Sequence, residues 1–395
     1  MTASNEPDEG EEAAAGFGGA APDGLQNACL YAVLAFSLFS LPICAAGLGG
    51  LNDEYVPPPP VKPRPQVVER VVEKPVKDPA AERRAQAAEA EIARLKAELD
   101  KANRLTDPAS ACLKNGAWQA ACGFAAYAGG PVFRVVGGDL RFMMGTAKGA
   151  DSMADDYEGP QRQVSFRRRF ALAETEVTVA QYLVCVKDGG CKEPEWREAG
   201  SEEHYQTGGN AYYRDINVDQ PDSPITGVSL HDARAYVAWL SRKTRQVYTL
   251  PTEAQWEYAA RGGRTGRWYF GDDESQLRDH AWYDANSGDK LHPVGSTRLN
   301  THPWGLKDMA GNASEWVEDC RHDNYTNSPA NGDKAWEGAN DGDCSWHVVR
   351  GGSWREGAWG SRAASRLWVS TDRRDWLPFS ERGNSVSFRP IRMLP

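Results

Sequence analysis

The 395-residue chain has no surplus of positive charge: 45 Lys and Arg stand against 55 Asp and Glu, for a formal net charge of -10. Binding along a phosphate backbone needs Lys and Arg clustered on one face, so this composition argues against nucleic acid as a partner. The 41% of apolar residues still suffice for a full core. Thirteen of the 14 Trp residues follow residue 190, which predicts a folded domain in the C-terminal two-thirds.

The N-terminal region lacks basic residues and then lacks charge altogether. Residues 1–27 are acidic, contain no Lys or Arg and show no apolar periodicity, so they are predicted to form a disordered tail. Residues 28–51 contain no charged side chain, and about 20 apolar residues cross a bilayer core. We therefore expect a single transmembrane helix over 28–51. A cleaved signal peptide is the alternative, but it needs a basic start and a shorter apolar core.

Two spacer segments follow this apolar stretch. The Pro-rich residues 52–79 favour an extended linker that acts as a stalk. Residues 80–106, rich in Ala, Glu, Arg and Lys, predict a charged helix, and residues 107–129 are interpreted as a connector. One side of the helix allows a short coiled coil and self-association, with a solvated helix as the alternative. The apolar residues of that side are Ile92, Leu95, Leu99 and Leu105.

The cysteines are not spaced for a metal, because the sequence has no close Cys-x-x-Cys pair and no adjacent Cys/His cluster. Two of the eight fall in the apolar stretch, and the others form local pairs that predict disulfides, although six cysteines allow 15 pairings. The predicted pairs are Cys112 with Cys122, Cys185 with Cys191, and Cys320 with Cys344.

Disulfides form in oxidising compartments, so the C-terminal domain is expected to be periplasmic or otherwise extracytoplasmic. The positive-inside rule favours the opposite orientation, since Lys62, Arg64 and Arg70 follow the apolar stretch and no basic residue precedes it. Large domains that follow a membrane span are translocated largely regardless of the charges next to the span. The predicted disulfides are therefore the stronger evidence for the orientation.

Short, turn-rich segments after about Gly129 contain two clear helix starts. Ser229 can cap a helix whose buried side is Ala233, Tyr236, Val237 and Leu240. Thr252 and Gln255 form a capping box before a second helix, in which Trp256, Ala259 and Ala260 share the buried face. Few regular elements over about 265 residues predict an α+β domain.

Six ordered blocks of this region resemble one family. They are residues 137–145, 174–178, 224–229, 250–263, 305–316 and 350–354. In this order they resemble the formylglycine-generating enzyme, or sulfatase-modifying-factor, family over about residues 130–395. The resemblance implies an irregular α+β, C-type-lectin-like fold.

The resemblance also implies a structural calcium in the block around Asp308 to Glu315. By resemblance the ligands are the side chains of Asp308 and Glu315 and the carbonyls of Gly311 and Ala313. Asn286 marks the place of a second, looser calcium loop. Carboxylate and carbonyl oxygens are what a hard cation requires. The alternative is a solvated turn whose acids cap nearby amides.

The oxidases of this family use two cysteines a few residues after the Gly-Gly-Ser block to bind copper. Here residues 355–366 contain no cysteine, and soft thiolates are what select Cu(I), so we expect neither copper nor a catalytic residue. The tryptophan those enzymes carry before the calcium-block glutamate is replaced by Ser314. The related iron-dependent sulfoxide synthases need a helical histidine cluster, whereas the seven histidines here are scattered.

These observations predict a membrane-anchored, extracytoplasmic binding module without oxidase activity. Its ligand would be an envelope protein, a peptide or a glycan, held in a groove rich in Trp and Arg. The residues expected to line the groove are Ser353, Trp354, Arg355, Trp359, Arg362 and Arg366. Two alternatives stay open: these Trp residues belong to the core, or the domain is a formylglycine-generating oxidase or related enzyme with a non-standard active site.

Overall fold

A long N-terminal helix is the first element of the computed structural model, which describes residues 79–197, 216–339, 341–371 and 383–395. This helix, α1, spans Pro79–Thr106 and confirms the helix predicted over 80–106. The predicted acidic tail, membrane span and nearly all of the Pro-rich linker lie outside the described residues. Within the described ranges, no helix is long and apolar enough to cross a membrane.

The remaining described elements are short. The other helices are α2 (Val179–Lys187), α3 (Leu230–Thr244), α4 (Glu253–Arg261) and α5 (Leu277–His280). The strands are β1 (Leu113–Lys114), β2 (Ala117–Trp118), β3 (Gly123–Ala125), β4 (Val132–Val135), β5 (Arg141–Met144), β6 (Arg162–Ser165), β7 (Phe170–Ala173), β8 (Tyr248–Thr249), β9 (Ser314–Arg321), β10 (Asp343–Arg350), β11 (Arg366–Ser370), β12 (Val386–Ser387) and β13 (Ile391–Met393).

Two sheets organise the domain. The five-stranded sheet has the order β3-β4-β7-β13-β8, and all its neighbours are antiparallel. The four-stranded sheet has the order β11-β10-β9-β12, in which only β12 runs parallel to its neighbour. Strands β1 with β2 and β5 with β6 form two further pairs. The fold is therefore mixed, with helices and strands interleaved along the chain.

Helices α3 and α4 begin where the sequence predicts. The Ser229 hydroxyl accepts a hydrogen bond from the Asp232 amide at 3.1 Å. The Thr252 hydroxyl accepts from the Gln255 amide at 3.1 Å, and the Gln255 side chain accepts from the Thr252 amide at 2.9 Å, which completes the predicted capping box. All nine residues of α4 are buried, including Glu253, Glu257 and Arg261. An acidic residue inside a core requires a partner, and this requirement shapes the site described below.

The segment 107–129, predicted as a connector, is instead part of the folded domain. Strand β3 pairs with β4 at the edge of the five-stranded sheet. The carboxylate of Asp107 forms a buried ion pair with Arg392 in β13, and Cys112 is fully buried. The connector prediction was wrong because the partners of this segment lie up to 285 residues away in sequence.

Candidate functional site

The segment after the Gly-Gly-Ser block is buried and polar. Ser353 is fully buried, and its hydroxyl accepts a hydrogen bond from the Arg355 amide at 3.2 Å. Glu356 is 8% exposed, and its Oε2 has no hydrogen-bond partner. Burial raises the pKa of the Glu356 carboxyl, while hydrogen bonds from Ser353 oppose the shift. The Ser361 hydroxyl is likewise buried without a partner. Carboxyl and hydroxyl groups thus occupy a stretch in which no thiol is present.

The predicted Trp- and Arg-rich groove does not form one open surface. Trp354 is only 4% exposed and Arg362 only 1%, and Ser353 and Arg366 are fully buried. Only Arg355 and Trp359 reach the surface, with Trp359 40% exposed. For Trp354 the alternative of a core residue is therefore the correct one. The two buried arginines have structural partners instead.

Arg362 and Arg366 are each held by a glutamate in a two-pronged ion pair. The Arg362 guanidinium donates to both carboxylate oxygens of Glu158, at 2.8 and 2.5 Å. Arg366 donates to both oxygens of Glu253, at 2.8 and 3.0 Å. Burying such charges is costly unless the geometry is close and complete, which both forks satisfy.

A third arginine extends this ionic network into α4. Arg350 donates to Glu257 at 2.6 Å, and its guanidinium lies 3.6 Å from Glu253. Glu257 also accepts from Arg261 at 2.8 Å and from the Gly145 amide at 2.8 Å. The network therefore joins α4, the end of β10 and the loop after β5, so that it fixes the position of that loop.

The loop held by this network borders a polar cleft. One part, of about 520 Å³, lies against residues 146–161 and residues 324 and 326. A second part, of about 280 Å³, reaches Arg261, Arg267 and Arg362 and shares Thr146, Ala147, Asp151 and Gln161 with the first. Because these four residues line both parts, the two parts lie next to each other.

Asp151 is the charged residue at the junction of the two parts of the cleft. Its carboxylate contacts Arg267 at 2.9 Å and Arg362 at 3.1 Å. The described residues lining both parts include carboxylates, guanidinium groups, amides and hydroxyls but no Cys or His. This chemistry suits hydrogen bonding to a polar ligand and offers no thiol or imidazole nucleophile.

The predicted calcium block forms a buried ion-pair centre in this structure. Both oxygens of Glu315 accept hydrogen bonds from Arg389 at 2.7 Å, and Oε2 also accepts from the Trp256 indole at 2.8 Å. Asp308 Oδ1 has no hydrogen-bond partner, and burial raises the pKa of Asp308 to about 6, opposed by the hydrogen bond from the Gly295 amide. The Glu176 carboxylate lies 3.8 Å from the Arg389 guanidinium. Burial, and after it the charge of Asp308, raise the pKa of Glu176 well above its ordinary value.

Of the other predicted calcium ligands, the Asn286 side chain is engaged in local structure. The Asn286 amide accepts from the Tyr283 amide and donates to the carbonyls of Arg278 and Ala281. Gly311 has φ +77°, and a Cβ there would lie 2.2 Å from the Trp282 carbonyl oxygen. Nowhere in the described ranges do three His, Cys, Asp or Glu side chains converge as metal ligands. Because Arg389 holds both of its oxygens, Glu315 does not fit as a calcium ligand in this arrangement, whereas Asp308 Oδ1 has no partner. A calcium ion at this block stays a prediction.

All six cysteines beyond the apolar stretch lie in disulfides. The pairs are Cys112 with Cys122, Cys185 with Cys191, and Cys320 with Cys344, as the sequence predicts. Their sulfurs are therefore not available as thiolate ligands.

The sequence interpretation missed the ionic network, although a signal for it was present. Arg350, Arg362 and Arg366 lie in a segment rich in Gly, Ala, Ser and Trp, and arginines that such a segment buries demand carboxylates. Glu253 and Glu257, four residues apart on a fully buried helix, are two of those carboxylates. No local pattern identifies Glu158 and Asp151, because they precede Arg362 by more than 200 residues.

The order of the blocks and the mixed fold are consistent with a protein of the sulfatase-modifying-factor class. The profile of the sulfatase-modifying factor enzyme 1-like domain matches residues 130–389, more than half of the chain, so the chain belongs to this family.

Known relatives include active and inactive proteins. The formylglycine-generating enzyme of Streptomyces coelicolor is 36% identical over 147 residues, which are 34% of this chain and 43% of that enzyme. The inactive C-alpha-formylglycine-generating enzyme 2 of Bos taurus is 34% identical over 156 residues, 38% of this chain and 44% of that protein. The chain thus spans less than half the length of either relative.

Solved structures support the same fold. PvdO from Pseudomonas aeruginosa is 30% identical with a TM-score of 0.58, and the alignment covers 70% of this chain and all of PvdO. Variable protein 1 of Treponema denticola is 21% identical with a TM-score of 0.51, covering 69% of this chain and 99% of that protein. The second likeness shows the fold alone.

Proposed function

We propose that this chain is a membrane-anchored, extracytoplasmic binding module of the cell envelope that has no formylglycine-generating oxidase activity. The observation that carries the proposal is the buried stretch after Ser353, where Glu356 and Ser361 stand and no cysteine occurs. Copper-dependent oxygen activation in this family requires thiolates, and neither a carboxylate nor a hydroxyl replaces soft sulfur. The cysteines of the domain are paired in disulfides, which supports the same conclusion.

The proposed ligand is a polar peptide segment of an envelope protein, bound in the cleft beside residues 146–161. The proposed site is supported by two adjoining cavities and by a floor that contains Arg267 and Arg362 next to Asp151. The carbonyl of Trp359 accepts from Arg362 at 3.0 Å, so the exposed Trp359 stands on the same loop as part of that floor. An exposed aromatic on that loop is a suitable anchor for a peptide that extends beyond the cleft.

An oxidase assay tests the loss of activity. The full chain is incubated with a Cys-x-Pro-x-Arg peptide, oxygen and copper, and the peptide mass is measured. We expect no conversion of the peptide cysteine to formylglycine, whereas the Streptomyces coelicolor enzyme serves as the positive control. Conversion of the peptide cysteine to formylglycine by this chain would overturn the proposal.

Site-specific photo-crosslinking in cells tests the ligand site. A photoreactive residue in place of Thr326 at the cleft edge is expected to give a covalent adduct of defined mass. The matched control is a photoreactive residue in place of Val247, which is 72% exposed and does not line either part of the cleft. Equal adducts at both positions, or none at Thr326, would count against a ligand in the cleft.

Alkylation in intact cells tests the compartment. Protein isolated without reductant after alkylation is expected to carry no label at Cys185 or Cys191, because an oxidising compartment keeps this disulfide closed. Free thiols at these two positions would contradict the extracytoplasmic location. Extraction of the membranes at alkaline pH tests the anchor: release of the full chain into the supernatant would argue against a membrane span at 28–51.

The second candidate is an enzyme with a non-standard active site. It is favoured by one observation, namely that Glu356 Oε2 and the Ser361 hydroxyl are buried without hydrogen-bond partners. Unpaired buried polar groups are costly and often have a functional reason. If this candidate holds, Glu356→Gln abolishes turnover of a peptide substrate, while photo-crosslinking through the Thr326 position is unchanged.

A further inference from the structure

Helix α1 is long, and its side chains from Glu82 to Lys96 are exposed. It runs for 28 residues, which equals four heptads. Every α1 side chain that the structure describes is exposed, including Ile92 at 60% and Leu95 at 54%. Helices of this kind gain most of their stability from packing an apolar face, so a fully exposed apolar face indicates a missing partner.

The apolar positions of α1 follow a heptad pattern. Ala85 and Ile92 take the first position of successive heptads, and Ala88 and Leu95 take the fourth. These four residues form the α1 seam, and all four are exposed. The alternating spacing of three and four fits the seam of a two-stranded coiled coil and also the buried face of a single amphipathic helix, so the flanking charges decide between partners.

The charges beside the α1 seam are self-complementary. In a parallel pair, the g position of one helix faces the e position of the next heptad on its partner, five residues further along. With the seam defined above, Glu91 is a g position and Lys96 is the e position that faces it. Arg84 and Glu89 bear the same relation one heptad earlier. Both pairs join opposite charges, and the two-fold symmetry of a homodimer repeats each of them.

We propose that α1 docks against α1 of a second copy of this chain as a parallel, in-register coiled coil. The occupant of the exposed seam is thus the same helix, selected by the Glu91–Lys96 and Arg84–Glu89 pairs. This pairing does not require any ligand in the cleft, so it stands or falls separately from the proposed binding role.

Charge exchange tests the pairing. The mass of the full chain in mild detergent is followed by analytical ultracentrifugation as a function of concentration. Glu91→Lys and Lys96→Glu, made singly, bring like charges together at two symmetric places and are expected to weaken the dimer about fivefold. The double exchange restores opposite charges and is expected to return the dissociation constant to within about twofold of the original.

The double exchange also separates the contact between helices from effects within one helix. Within one helix, Arg94 lies 3.8 Å from Glu91 and 3.2 Å from Glu98. Glu91→Lys therefore weakens the helix itself, and exchange at position 96 does not repair that loss. Recovery in the double variant therefore reports on the partner helix, with circular dichroism as the check that α1 stays helical.

Cysteine crosslinking tests the parallel register. A cysteine in place of Ala88 on the seam faces its own counterpart in a parallel pair and is expected to form an intermolecular disulfide under mild oxidation. The matched control replaces Ala90, which lies on the opposite side of the helix, and the unsubstituted chain measures any background from Cys29 and Cys44. Three results would overturn the proposal: a monomer at all concentrations, equal crosslinking at both positions, or a dimer that the double exchange does not restore.

A membrane surface is the other occupant that an exposed amphipathic helix can have. In that case the full chain in mild detergent is monomeric at every concentration, and Leu95→Ser leaves its mass unchanged. This outcome would also overturn the coiled-coil proposal.

Discussion

Arg362 and Glu158 form a buried two-pronged ion pair although 204 residues separate them in sequence. The pair lies beneath the polar cleft and ties the loop 146–161 to the segment that follows the Gly-Gly-Ser block. The arginine thus acts as a structural counterion where a ligand-contacting residue was predicted.

Glu158→Gln is expected to lower the free energy of unfolding by about 2–3 kcal/mol, because Arg362 would lose its two-pronged partner and keep only the single contact with Asp151 at 3.1 Å. Urea unfolding followed by tryptophan fluorescence measures the change. The control is Arg355→Ala, which removes an exposed guanidinium and is expected to change the stability by less than about 0.5 kcal/mol. If both variants lose a similar free energy of unfolding, the buried Arg362–Glu158 pair does not contribute more to stability than an exposed arginine does.

Gly311 and Gly149 both have a positive φ, so comparing their alanine variants separates the cost of a steric clash from the cost of backbone strain. Gly311 has φ +77° and faces the Trp282 carbonyl, whereas Gly149 has φ +74° with nothing within 4 Å of an added Cβ. Gly149→Ala is expected to cost about 1 kcal/mol from the positive φ alone. Gly311→Ala adds a backbone clash and is expected to cost more than about 4 kcal/mol. Thermal unfolding compares the two, and equal losses would contradict the close approach at Trp282.

His302 makes the stability sensitive to acid. Burial lowers the pKa of His302 to about 4 from an ordinary value of 6.5. The Trp304 amide donates to His302 Nδ1 at 3.2 Å, which requires a neutral ring, and Nε2 lies 2.9 Å from the Ala259 carbonyl oxygen. The unfolded chain therefore takes up the proton more readily, so this contribution is present above about pH 6.5 and is lost as the pH falls towards 4.

His302→Gln is expected to flatten the dependence of stability on pH between about 6.5 and 4, by up to about 3 kcal/mol over that range. The free energy of unfolding in urea, measured at several pH values, gives the slope. His231→Gln, at an exposed position, serves as the control and is expected to keep the slope of the unsubstituted chain. An unchanged slope in His302→Gln would show that the buried ring is not the acid-sensitive group.

Chelation of divalent cations is expected to leave the unfolding temperature within about 2 °C of its original value, because Arg389 already engages both oxygens of Glu315. Differential scanning calorimetry with and without EDTA makes the comparison. A fall well beyond this range, reversed by added Ca²⁺, would restore the calcium prediction for the block at 308–315. Asp308→Asn would then remove the calcium response, since Asp308 Oδ1 is the carboxylate oxygen there without a partner.

Local sequence patterns predicted local structure well. The capping residues Ser229 and Thr252 begin helices, and the three short-range cysteine pairs are disulfides. These features depend on residues fewer than 25 positions apart, so spacing alone contains the necessary information. The ordered blocks likewise predicted the family, because each block is itself a short contiguous pattern.

The spacing of residues in the sequence did not predict which polar side chains are buried and which face solvent. Arg362 and Arg366 look like ligand-binding residues in a glycine-rich segment, and only the tertiary structure places Glu158 and Glu253 against them. Glu315 looks like a cation ligand, and only the fold brings Arg389 onto both of its oxygens. Whether a charged side chain meets water, a metal or a counterion depends on which distant segment packs against it. The sequence therefore determined the helix starts, the disulfides and the absence of a thiol after Ser353. The tertiary structure decided which charges are buried, because burial is a property of contacts between segments far apart along the chain.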